Sequence, residues 1–72
     1  MKFAILVHVF KRQRGGVNQP DVDIFRRSNR ILREFESEEK LAEAVDLANT
    51  GSLLVAMGLG EHVRVIQITR ID

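Results

Sequence analysis

This chain has no cysteine, no tryptophan and no tyrosine, and it has a single proline. Without cysteine there can be no disulfide and no zinc site built on thiolates. Only His8 and His62 remain as strong nitrogen ligands, so neither a structural metal nor any other cofactor is expected. Long apolar runs are missing too. None approaches the ~20 residues that a membrane-crossing helix needs. The opening MKFAILVHVF is interrupted by His8 and has no small-residue cleavage site. A cytoplasmic chain with no membrane association is therefore expected.

Signatures of catalysis are equally sparse. Gly58-Leu59-Gly60 lacks the third glycine and the following helix of a nucleotide fingerprint. None of Ser28, Ser37 and Ser52 sits in a nucleophile elbow. His8 and His62 can meet only if their strands pair, with Glu61 or Asp72 then available as a third group. No enzyme class is supported, and a non-enzymatic protein is the expectation.

What is present begins with one helix. Ser37 stands where an N-cap belongs, followed by Glu38 and Glu39 at the positive end of the helix dipole. Leu41, Ala44, Val45 and Ala48 recur at helical spacing with Leu47 beside them, and Glu39, Lys40, Glu43 and Asp46 fill the other side. Gly51 is the expected stop. The spacing predicts one amphipathic helix over about 37–50.

Most of the rest reads as strand. Residues 2–12 are rich in β-branched and aromatic side chains. Phe3, Ile5, Val7 and Val9 alternate with Ala4, Leu6, His8 and Phe10, so both faces are largely apolar. Residues 13–22, with Gly15, Gly16 and Pro20, form a loop. A strand at about 30–36 leads into Ser37, with 22–28 extended or irregular and Ser28-Asn29 as a turn signal. Residues 52–58 and 62–71 supply two more strands, the second with a bulge near Val65–Ile66 if its valines and isoleucines are to share a face. The expected fold is α+β in the order ββαββ: a four-stranded, mainly antiparallel sheet with one helix on one face. The alternative puts a second helix at about 23–35, where Ile24, Phe25, Ser28, Ile31, Leu32 and Phe35 also fit helical spacing behind Asp23.

At 72 residues the chain is one domain, 1–72, with a small core. Small domains add disulfides, metals or self-association, and only the last survives here. One helix covers one face of the sheet. The other would expose Ala4, Leu6, Phe10, Ile66 and Ile68, an apolar patch of the kind that marks an interaction site. The preferred expectation is therefore a homodimer, sheet on sheet, that also binds a protein partner.

Charge supplies the alternative. Lys11, Arg12, Arg14, Arg26, Arg27, Arg30 and Arg33 far outnumber Asp21 and Asp23 between residues 11 and 33, whereas acidic residues dominate 34–50. The basic stretch could meet phosphates, and Phe10 and Phe25 could stack on bases. Known RNA-binding signatures are absent. A helix-turn-helix is excluded by charge, because its second helix would carry Glu38, Glu39, Glu43 and Asp46 toward DNA.

VHVFKR at 7–12 and LREFESEEKLAEA at 32–44 resemble small uncharacterised proteins encoded in bacteriophage genomes. The resemblance implies a cytoplasmic accessory protein that binds a host or phage component. It carries over no catalytic residue, and the long basic loop 13–29 departs from the short turn of that pattern.

Overall fold

The computed structural model describes residues 1–49 and 58–72, and the backbone alone at Asn49. Strand β1 (Lys2–Gln13) runs into β2 (Val22–Glu34), then helix α1 (Glu38–Asn49), then β3 (Glu61–Arg70). The sheet order is β2-β1-β3, with β1 antiparallel to both neighbours. The central position falls to the most apolar strand, because only the middle of a sheet gives both faces and both edges of a strand a partner.

The architecture is α+β, but its described order is ββαβ with three strands rather than ββαββ with four. The strand expected at 52–58 falls, except for Gly58, within residues 50–57 and so outside the described residues, and Gly58 itself precedes a turn. The alternative helix at 23–35 is overturned. Residues 23–34 are strand, paired with β1 from Lys2↔Glu34 to Gln13↔Val22. Helical and alternating periods coincide over so short a stretch, and the unpaired edge of β1 decides for the strand. That strand also reaches back to Val22 and ends at Glu34, so Ser28 and Asn29 lie mid-strand opposite His8 and Val7 instead of turning.

Two bulges interrupt the ladder. Val9 faces Arg27 and Phe10 faces Phe25, which leaves Arg26 as an extra residue in β2. Leu6 faces Gln67 and Val7 faces Val65, which leaves Ile66 extra in β3. The second falls where the sequence offered one, near Val65–Ile66, and it lets Val63, Val65 and Ile68 share one side with Ile66 as the extra residue.

That side carries the core. Phe3, Ile5, Val7 and Val9 are buried beneath Leu41 and Ala48 of α1, with Ile31, Phe35, Ala44, Val45, Val63 and Val65 packed around them. The helix starts as its sequence predicts: the Lys40 N–H donates to Ser37 Oγ at 3.2 Å. Leu47 stays exposed beside the packed stripe. Twelve helical residues span about 18 Å, which is less than half the length of β1 or β2. The molecule is elongated, 49 × 19 × 18 Å, and the far part of the β1–β2 hairpin extends beyond the helix.

At the tip of that hairpin, Asn18 adopts φ 65° and the Gln19 N–H donates to the Gly16 carbonyl at 3.0 Å. The Gly15 N–H donates to Asp21 Oδ1 at 3.0 Å, and a Cβ on Gly15 would overlap the carbonyl oxygens of Gln19 and Pro20. Among the described residues no helix is long and apolar enough to cross a membrane.

Candidate functional site

Directly opposed residues of an antiparallel pair share a face. On β1 the face turned away from α1 therefore bears Ala4, Leu6, His8, Phe10 and Arg12. Their partners on β2 are Leu32, Arg30, Ser28, Phe25 and Asp23. On β3 they are Thr69, Gln67, Arg64 and His62, opposite Ala4 to Phe10. No described element lies on this face.

Its centre is a cluster of rings around Phe10. His62 lies nearly parallel to Phe10, with centroids 5.8 Å apart and planes at 22°. Phe25 meets Phe10 edge-on at 5.9 Å and His8 at 5.2 Å. The guanidinium carbon of Arg64 sits 5.3 Å from the Phe10 centroid, within cation–π range. Phe25 is 52% exposed, a large apolar ring offered to solvent. At the rim Asp23 joins two strands: Arg12 Nε lies 3.4 Å from its Oδ1 and His62 Nε2 lies 3.5 Å from its Oδ2.

The bulges build this cluster. An unbroken β1–β2 ladder would set Arg26 opposite Phe10 and turn Phe25 to the helix side. An unbroken β1–β3 ladder would oppose His8 and Phe10 with valines. One extra residue in each edge strand re-aims Phe25, His62 and Arg64 onto the ring of Phe10.

The residues singled out by sequence are thus divided. Ala4, Leu6 and Phe10 share the face turned from α1, but Ala4 is buried there, at 5% exposure, instead of exposed. Ile66 is the bulge residue, and Ile68 falls opposite Ile5 on the helix side. Of the basic set, Arg12 and Arg30 are on the open face and Arg14 is in the loop. Lys11 and Arg33 have helix-side register positions, opposite Ile24 and Phe3, and Arg26 occupies the other bulge.

Arg27 is engaged structurally. Its Nη1 and Nη2 donate to Glu61 at 2.9–3.2 Å, tying β2 to β3 across β1. Glu61 also accepts the Gly58 N–H at 2.6 Å. The Arg27 hydrogen bond, and after it the Gly58 N–H, hold the Glu61 carboxyl below its ordinary pKa.

His8 and His62 do come to one face, because β1 and β3 pair, and each packs on the Phe10 ring, with centroids 6.3 and 5.8 Å away. Asp23, not Glu61 or Asp72, approaches His62. Among the described residues no three His, Asp or Glu side chains converge as metal ligands. Arg64 is the member of the cluster that sequence reasoning passed over. Its signal is the His62–Arg64 alternation in β3, legible once β3 is known to flank β1.

Comparison with models of known protein families, with curated proteins and with solved structures finds no match.

Proposed function

We propose that this chain is a non-enzymatic cytoplasmic module that binds single-stranded nucleic acid on its open sheet face. The observation that carries the reading is the convergence of Phe10, Phe25, His8 and His62 with Arg12, Arg30 and Arg64 on one side of three strands. Flat rings take unstacked bases and guanidinium groups take phosphates, which is how sequence-tolerant single-strand sites are made. In a duplex the base faces are already stacked and cannot reach the rings.

Self-association through the same face is the competing reading, favoured by Leu32, which is 59% exposed beside Ala4. Charge weighs against it. A second copy laid on this face gathers Arg30 and Arg64 of both chains into one interface. Of the acids on that face, Asp23 already faces Arg12 and His62, and Glu34 lies at the far end opposite Lys2. Removing a cation from water without a counter-charge costs several kcal/mol. A polyanion supplies that counter-charge.

Fluorescence anisotropy with labelled single-stranded DNA, single-stranded RNA and a duplex of the same length tests the reading. Single strands are expected to bind more tightly than duplex, with affinity falling as salt rises by a slope of about −0.7 per phosphate neutralised. Phe10→Ala is expected to weaken binding by about 1–3 kcal/mol. No binding of any strand at low salt, or an undiminished affinity for folded Phe10→Ala, overturns the proposal.

A further inference from the structure

Beyond the ring cluster, toward the other end of the open face, lies a hollow of about 140 Å³ lined by Ala4, Leu6, Arg30, Gln67 and Thr69. It exists because the residue between Leu32 and Thr69 across the three strands is alanine. Ala4 and Leu6 make an apolar floor. Arg30 comes from β2, and Gln67 and Thr69 come from β3, so the polar groups stand on both walls. All three can donate: a guanidinium fork, an amide and a hydroxyl. No carboxylate lines the hollow, and no described acid pairs with Arg30. A cation and two neutral donors with no acidic neighbour suit an anion with several acceptor oxygens.

We infer that this hollow is a phosphate subsite, and that it holds a backbone phosphate of the same strand whose base stacks on the ring cluster. The inference rests on the single-strand reading and adds a register to it. Leu6 and Phe10 are four residues apart on β1, which at the rise of a strand is roughly 13 Å. Neighbouring phosphates of an extended single strand lie about half that far apart. The strand therefore runs along β1, and one nucleotide cannot occupy both places. Short ligands fill the rings alone, and longer ones gain the hollow.

The test compares a dinucleotide with a hexanucleotide of the same base, each titrated into the wild-type chain, Arg30→Gln, Ala4→Leu and Phe10→Ala. Circular dichroism confirms that each variant is folded. Ala4→Leu fills the hollow without changing any charge, which separates the subsite from general electrostatic attraction. Ala4→Leu is expected to weaken the hexanucleotide by about tenfold or more and to leave the dinucleotide unchanged, whereas Arg30→Gln is expected to weaken both ligands and the hexanucleotide more. Phe10→Ala is expected to weaken both ligands. Equal losses for the two lengths, or no loss for the hexanucleotide, overturn the subsite while the ring platform stands. If Phe10→Ala changes neither ligand, or neither ligand binds the wild type, the single-strand reading falls and takes the subsite with it. Should Ala4→Leu not fold, Gln67→Leu, which removes a wall donor at constant charge, decides by the same length comparison.

Discussion

At the scale of single residues, the division of the arginines matters most. Arg27 belongs to the basic stretch by sequence, yet its guanidinium is held by a carboxylate that is only 9% exposed. The Arg27–Glu61 pair joins the two outer strands, so its protonation bears on stability. Glu61 is held below its ordinary pKa of 4.5 in the folded chain. An unfolded chain protonates it first as pH falls. Its contribution is thus fully present above the ordinary value and is lost as pH drops through the lower folded value. Glu61→Gln is expected to be less stable than wild type at neutral pH and to lose less on acidification. Urea midpoints of both proteins between about pH 3 and pH 7 measure this. Parallel curves for the two proteins would remove the pair from any role in acid sensitivity. A second residue-scale prediction concerns the helix start. Ser37→Ala removes the acceptor of the Lys40 N–H and is expected to cost about 1 kcal/mol, read from the same urea midpoints at neutral pH.

At the scale of elements, the bulges at Arg26 and Ile66 decide what each face displays. Ile66 is 45% exposed, so Ile66→Ala is expected to cost less than about 1 kcal/mol. Deleting Ile66 is a different change. It removes the extra residue and leaves Gln67 opposite Leu6 and Val65 opposite Val7 in a regular ladder, so both faces keep their residues and only the local twist of the bulge is lost. Deletion is therefore expected to keep a cooperative transition in a thermal melt, and loss of that transition would show that the twist of the bulge itself is needed for β3 to dock. This is also where legibility in the sequence ended. The helix was readable because Ser37, the Glu38–Glu39 pair and the aliphatic stripe all agree on it. β1 was readable because no other element tolerates so continuous a run of β-branched and aromatic residues. The stretch at 23–35 was ambiguous because Ile24, Phe25, Ile31 and Leu32 satisfy both periods, and only the edge of β1 resolves them. The ring cluster was not readable at all. Phe25 and Phe10 have opposite parity about an unbroken hairpin, and only the extra residue at Arg26 brings them together. Strand order, which a single sequence does not encode locally, was needed before His62 and Arg64 could be placed beside them.

At the scale of the whole molecule, one apolar and cationic face confronts two kinds of partner, and salt separates them. Nucleic-acid binding releases counterions and weakens as salt rises. Face-to-face pairing of two copies does the reverse, because it is opposed by repulsion between Arg12, Arg30 and Arg64 of the two chains and favoured by burial of Leu6, Phe10, Phe25 and Leu32. Screening shortens the range of that repulsion from about 10 Å at 0.1 M salt to about 3 Å at 1 M, while apolar burial keeps or gains strength. The chain is therefore expected to scatter light as an 8.2 kDa monomer at low salt and to gain mass, if at all, only as salt is raised. A dimer that is stable at low salt and loosens at high salt would mean that opposite charges meet across its interface, which this face does not supply. The open face would then be free for a ligand even in the dimer, and the contact between copies would have to be sought elsewhere. A dimer of equal strength at both salts, broken by Leu6→Asp in a still-folded chain, would instead assign the face to self-association, and the arginines would then lie at its rim.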